Sequence, residues 1–190
     1  MLNLVIFGAP GSGKGTQSER LIGKYNLRHI STGEVLRGHI SRGTELGKLA
    51  DKYISKGQLI PDALMLDVLS HELVSLGKDD AKGVIFDGFP RTLEQAEAFE
   101  KMMEKHGRKL DAVIGLEVPE AELVDRMIKR GAATGRADDN IDTIKNRLEV
   151  YHKQTHPLKE FYTKRGLYRA INGAGDVEAI FGDIVKAIEG

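Results

Sequence analysis

The chain has 190 residues, no cysteine, and 28 basic against 28 acidic residues. This length suits one domain able to bury roughly 70% of its unfolded surface, and the balanced charge excludes a global field toward nucleic acid or an acidic membrane, so any anion site must be a local cluster of Lys and Arg. Without cysteine there are no disulfides, thiolate zinc sites or cysteine nucleophiles, which fits a reducing compartment such as the cytoplasm.

Met1-Leu2-Asn3-Leu4-Val5-Ile6-Phe7 is apolar, has no basic residue before it, and runs into Gly8-Ala9-Pro10-Gly11. It is too short to be read as a signal peptide or a membrane span, and reads as a buried strand. Gly8-Ala9-Pro10-Gly11-Ser12-Gly13-Lys14-Gly15-Thr16 follows, ahead of a helical segment from Gln17 to Tyr25. Position alone suggests a strand near Arg28 to Ile30. Residues 31–60 hold five glycines (Gly33, Gly38, Gly43, Gly47, Gly57) among spaced apolars, and read as a small, loosely packed helical lobe. Pro61-Asp62 marks either a helix start or a turn before Leu64, Met65, Val68, Leu69 and Leu73.

Short apolar runs at 83–86 and 111–116, with a weaker one at 167–171, read as further buried strands. Between them Leu93, Ala96, Phe99 and Met103 recur at helical spacing, as do Ile141, Ile144, Leu148 and Tyr151. Strands alternating with helices predict an α/β fold whose parallel sheet is covered on both faces.

The glycine-rich segment carries the strongest chemical signal. Its glycines let the backbone curl so that N–H groups point at phosphate oxygens, the following helix start adds partial positive charge, and Lys14 can reach the outer phosphates. A glycine turn that binds nothing would be weakened by so many glycines. The pattern departs at Gly15, where a hydroxyl residue is usual; the hydroxyl comes one later, at Thr16. Val84-Ile85-Phe86-Asp87 is an apolar strand ending in a carboxylate, placing Asp87 as the anchor for Mg2+, through water. No asparagine is followed by lysine, so the guanine-reading Asn-Lys-x-Asp of a GTP switch is absent.

Four ordered segments, Gly8–Thr16, Ser31-Thr32-Gly33-Glu34-Val35-Leu36-Arg37, Asp87-Gly88-Phe89-Pro90-Arg91-Thr92 and Gly135-Arg136-Ala137-Asp138-Asp139-Asn140, resemble the motifs of adenylate kinases, from Leu4 to about Gly175. The resemblance implies a P-loop NTPase three-layer fold with a five-stranded parallel sheet. It divides the chain into a core (1–30 and 61–190), an inserted NMP-binding lobe (31–60) and a short lid loop (131–137). It implies the transfer ATP + AMP = 2 ADP with Mg2+, by a monomer in the cytoplasm with no nucleic-acid or membrane partner.

By the same resemblance, Gly11, Ser12, Gly13, Lys14, Gly15, Thr16, Arg126, Arg130 and Gly175 face ATP. Thr32, Arg37, Gln58, Leu59, Ile60, Gly88, Phe89, Pro90, Arg91, Gln95, Arg136 and Arg147 face AMP, and Lys14, Arg91, Arg130, Arg136 and Arg147 act in catalysis. Arginine suits the task because its planar fork stays charged and donates several hydrogen bonds to phosphate. Glu122, Arg126 and Arg130 are alternatively a solvated ion-pair ladder on one helix face. Asp138 and Asp139 either orient the lid arginines or simply cap a helix. Glu34 stands where an aspartate is expected. Thr32, Thr92 and Gln95 favour AMP over UMP or CMP, Gln95 being otherwise a solvent-facing residue. Only five residues separate Arg130 from Arg136, so the chain resembles a short-lid form rather than one with an inserted lid domain; without cysteine ligands a zinc-binding lid is excluded, and the six histidines are read as structural.

Overall fold

The computed structural model describes residues 1–75 and 81–190. Five strands, β1 (Leu2–Gly8), β2 (Leu27–Ser31), β3 (Gly83–Asp87), β4 (Ala112–Glu117) and β5 (Tyr168–Asn172), form one sheet in the order β2-β3-β1-β4-β5. Every pairing is parallel. Each strand-to-strand connection therefore crosses over through helix: α1 (Lys14–Tyr25), α2 (Thr32–Ser41), α3 (Glu45–Ile54), α4 (Asp62–Ser75), α5 (Leu93–Lys105), α6 (Glu120–Thr134), α7 (Ile141–Val150), α8 (Leu158–Lys164) and, after β5, α9 (Val177–Glu189).

The period of two along β1 explains the three layers. Val5 and Phe7 pack with Leu69 of α4, Phe99 of α5 and Tyr162 of α8, whereas Leu4 and Ile6 pack on the other face with Leu21 of α1 and Ile180 and Ile184 of α9. This is the P-loop NTPase arrangement expected from the sequence, and the weakly signalled β2 is present. β1 lies centrally with β3 and β4 on either side, so Gly8, Ser31 and Asp87 end at one carboxyl edge. That edge, where crossovers diverge, is where such sheets form a ligand crevice.

Residues 31–60 are helical, but they are not loosely packed. Leu36, Ala50 and Ile60 belong to the same buried cluster as the sheet. A Cβ at Gly47 would collide with the His39 carbonyl and lie 2.6 Å from the Ile40 nitrogen, so glycine there lets α3 rest directly on α2. The far end of the segment meets α7, where Thr143 Oγ1 donates to the Ser55 carbonyl (3.2 Å). Residues 131–134 complete the last turn of α6; Gly135 then caps it at φ 68° and a 3-10 turn spans Ala137–Asp139. No helix among the described residues is long and apolar enough to cross a membrane.

Candidate active site

The glycine-rich segment is the turn from β1 into α1. Gly11 and Gly13 have φ of 81° and 96°, values that favour glycine, and a Cβ at Gly11 would lie 3.0 Å from the Leu123 carbonyl oxygen. The helix begins at Lys14, three residues before the expected start, with no side chain capping its first N–H groups, so that end is open to an anion. Lys14 Nζ folds back to donate to the carbonyls of Gly8 (3.0 Å) and Ala9 (3.1 Å). Burial, together with the charges of Arg91, Arg147 and Arg130, lowers its pKa to about 7 against the opposing pull of Asp87. Ser12 is buried and its hydroxyl has no partner. Gly15 and Thr16 are exposed on the first helical turn.

Asp87 is buried at the end of β3. Burial pushes its carboxyl up, but His29 and Lys14 outweigh that and hold it below the usual carboxylate range. His29 Nε2 lies 3.6 Å from Asp87 Oδ2, and this carboxylate raises the imidazole above its ordinary value despite burial. Glu34 stays largely exposed, its Oε2 3.9 Å from the other ring nitrogen, His29 Nδ1. No group of three metal-ligating side chains exists among the described residues. A lone buried carboxylate fits Mg2+, a hard cation that keeps several waters and takes its remaining ligands from substrate phosphates.

All twelve residues expected on the AMP side line one cleft together with Lys14. Thr32 Oγ1 and Arg91 Nε both donate to the Gly88 carbonyl (3.0 and 2.7 Å). Gly88 has φ 79°, and a Cβ there would lie 3.0 Å from Arg91 Nη2, so glycine makes room for the guanidinium. Phe89 turns into the core against Phe99, ring centroids 5.5 Å apart. Gln95 is 1% exposed rather than solvent-facing. Its Oε1 accepts from the Arg91 backbone N–H (2.8 Å) and its Nε2 donates to Asp62 Oδ1 (2.7 Å).

Arg130 of α6, Arg136 of the connecting turn and Arg147 of α7 are all paired with carboxylates. Arg130 donates through Nε and Nη2 to Asp139 (2.7 and 2.8 Å), Arg136 forks onto Asp138 (Nη2 at 2.9 Å), and Arg147 Nη1 reaches Asp139 (3.0 Å) and Asp138 (3.4 Å). Asp138 and Asp139 are thus buried anchors for three guanidiniums, while Asn140 is the residue that caps α7, accepting from Thr143 N. Burial drives Asp138 up, but Arg136 and Arg147 bring it net below the usual range. Burial and the other guanidiniums push Arg147 down to about 10, with Asp138 opposing. Of the ion-pair ladder only the Glu122–Arg126 rung forms (2.6 Å). Arg126 otherwise donates to the carbonyls of Ser12 (3.3 Å) and Gly173 (3.0 Å), strapping the phosphate loop to the turn after β5. Gly175 lies in that turn at φ 110°, exposed.

The family model for adenylate kinase matches residues 6–167. Curated proteins named adenylate kinase resemble the chain over all or nearly all of its length: those of Bacteroides fragilis (59% identical over 189 residues, 100% of this chain and 99% of the relative), Phocaeicola vulgatus (58%, with the same coverage) and Porphyromonas gingivalis (52% over 180 residues, 95% and 92%). The chain belongs to the adenylate kinase family. It is a phosphotransferase, and its chemistry is nucleoside monophosphate phosphoryl transfer.

Several residues at the site escaped sequence reasoning. Asp62, read only as part of a helix start or a turn, accepts from both Gln95 Nε2 and Thr92 Oγ1 (3.2 Å). His29, read as structural, stands beside Asp87. Tyr151 and Thr155 line the cleft from a π turn spanning Tyr151–Thr155. The only available signal for that turn was Pro157 shortly after α7; its wide turn is a tertiary choice.

Proposed function

We infer that the chain catalyses the reversible reaction ATP + AMP = 2 ADP, serving adenine nucleotide homeostasis. The observation that carries this reading is one cleft in which Lys14, Arg37, Arg91, Arg136 and Arg147 converge between a phosphate loop and a pocket ending at the Gln95 carboxamide. Two nucleotides bring several negative charges together, and five cations around one crevice answer that need by positioning and charge neutralisation. A nucleotide switch would have no use for so many cations opposite its phosphate loop.

In this mechanism the N–H groups of Gly11 to Thr16 and the Lys14 ammonium hold the ATP phosphates, with Arg126, Arg130 and Gly175 on the donor side. Arg37 and Arg91 hold the AMP phosphate, and Thr32, Gln58, Leu59, Ile60, Gly88, Phe89, Pro90 and Gln95 enclose its base and ribose. An AMP phosphate oxygen forms the new bond to the γ-phosphorus as the bond to the β-bridging oxygen breaks. The attacking oxygen is already anionic, so no general base is required. Arg136 and Arg147 exchange Asp138 and Asp139 for the transferring group, because a phosphoryl carrying more charge competes well for a planar fork. Mg2+, held from Asp87 through water, would neutralise charge on the ATP phosphates; zinc has no role. The segments 31–60 and 131–137 close over the core (1–30 and 61–190), excluding water that would otherwise accept the phosphoryl group. The enzyme acts as a cytoplasmic monomer without nucleic-acid or membrane partners.

The test is to incubate the protein and Mg-ATP with AMP, CMP, UMP or GMP in turn and quantify diphosphates. AMP should be converted fastest, with two ADP formed per turnover. No ADP from AMP above an ATP-only control sinks the reading, and faster conversion of another monophosphate reassigns the acceptor.

A further inference from the structure

Gln95 is almost wholly buried, and both ends of its carboxamide are claimed by groups that allow only one orientation. A backbone N–H can only donate, so the Arg91 amide at 2.8 Å requires oxygen opposite it. A carboxylate can only accept, so Asp62 Oδ1 at 2.7 Å requires the NH2 group. Asp62 Oδ1 also accepts from Thr92 Oγ1 at 3.2 Å, and the same Thr92 oxygen accepts from Gln95 N at 3.2 Å, closing a ring of three residues, Gln95, Asp62 and Thr92. A carboxamide turned by 180° keeps its shape. Here that turn would set NH2 against the Arg91 N–H and oxygen against the Asp62 carboxylate, losing two hydrogen bonds where little water can replace them.

We propose that Asp62 is a positioning residue for base specificity: it locks the Gln95 carboxamide in the orientation that pairs with an adenine edge and opposes a 6-keto purine. The proposal rests on the reading of the Gln95 end of the cleft as the acceptor-base pocket. After its bonds to Arg91 and Asp62, Gln95 retains one lone pair on Oε1 and one hydrogen on Nε2, and the residue lines the cleft. Adenine offers the complement, a 6-amino donor beside the N1 acceptor. Hypoxanthine and guanine offer the reverse, a 6-oxo acceptor beside an N1–H donor, and would pair only with the turned carboxamide. Asp62 itself does not line this cleft; it sits at the start of α4 on a separate, more open depression shared with Thr92. It therefore acts on the base only through Gln95. A site built around hydrogen bonds rejects a mismatched edge strongly because its own polar groups are left unpaired.

The experiment measures kcat/KM with Mg-ATP for three acceptors: AMP, IMP and the purine ribonucleoside monophosphate, which keeps the N1 acceptor and has no 6-substituent. The wild-type order should be AMP, then the unsubstituted purine, then IMP. In Asp62→Asn the amide can face a turned Gln95 with its own NH2, so the IMP-to-AMP ratio should rise about tenfold, the difference between a charge-assisted and an ordinary hydrogen bond. Asp62→Ala should move the same ratio in the same direction, while the unsubstituted-purine-to-AMP ratio changes less than about threefold in both. A merely structural role would lower all three acceptors together and leave both ratios at the wild-type value, which overturns the proposal. Should circular dichroism show both variants unfolded, the wild-type order decides: IMP used as well as the unsubstituted purine overturns it. A wild-type protein inactive on AMP overturns the functional reading itself.

Discussion

Asp139 has no exposed side-chain surface, yet three guanidinium contacts within 3.0 Å converge on it, two from Arg130 and one from Arg147. Asp139→Asn preserves the shape and replaces one acceptor oxygen by an NH2 aimed at a cation. Removing one partner of a fully buried ion pair costs about 3–5 kcal/mol. The Arg130 side chain is 34% exposed and Arg147 keeps Asp138 at 3.4 Å, so both retain some solvation or pairing. We therefore expect a loss of about 2–3 kcal/mol. For a chain of this length each kcal/mol moves Tm by about 2–4 °C, which gives a fall of about 4–12 °C by calorimetry or circular dichroism in nucleotide-free buffer. Saturating ADP should then raise Tm more in the variant than in the wild type. The phosphates supply the missing negative charge, and no carboxylate competes with them for the arginines. A loss under about 2 °C, or a smaller ADP-induced rise than in the wild type, would refute the reasoning.

Lys14 carries a pH prediction. Burial and the neighbouring guanidiniums lower its pKa to about 7, whereas bound phosphates favour the charged form, so binding above pH 7 must take up a proton. ATP affinity should weaken by up to about tenfold per pH unit above neutrality, and calorimetry at pH 8 in buffers of different ionisation enthalpy should show net proton uptake; none would sink the idea. Lys14→Ala and Arg91→Ala should each cut turnover by orders of magnitude with unchanged circular dichroism, and near-wild-type rates in either would reject the assigned roles. Gly47→Ala should cost about 3 kcal/mol, a fall in Tm of about 6–12 °C, because its methyl group meets the backbone of α2 rather than a movable side chain; an unchanged Tm would show that the two helices separate easily.

Much of this molecule is local and therefore readable along the chain. The alternation of buried strands with helical periods yields the parallel sheet, because a strand apolar on both faces has no stable place except between two helical layers. The phosphate loop is equally local: its glycines, Lys14 and the helix start lie within nine consecutive residues, so the motif is legible without knowing which distant residues pack against it. Gathering the candidate AMP-side residues needed the family pattern, and all of them do line one cleft.

Pairing between segments distant in sequence was beyond local reading. Whether α6 would carry an ion-pair ladder, or Arg130 would leave it for Asp139, depends on α6 and the 3-10 turn meeting, where a Cβ at Gly131 would lie 2.9 Å from Asp139 Cβ. The apparent looseness of 31–60 had the same origin: its glycines are contact points for α2 and for α7, at Gly47 and Gly57, and only the neighbour explains them. Asp62 and Gln95 are 33 residues apart and meet because β3 places α5 beside the start of α4. The sequence by itself thus determined the layers, the phosphate loop and the stock of arginines, all set by short-range backbone and patterning rules. Tertiary structure alone decided which carboxylate Arg130 and Arg147 face and which way Gln95 is held, because a hydrogen bond exists only where donor and acceptor are brought within about 3 Å of each other.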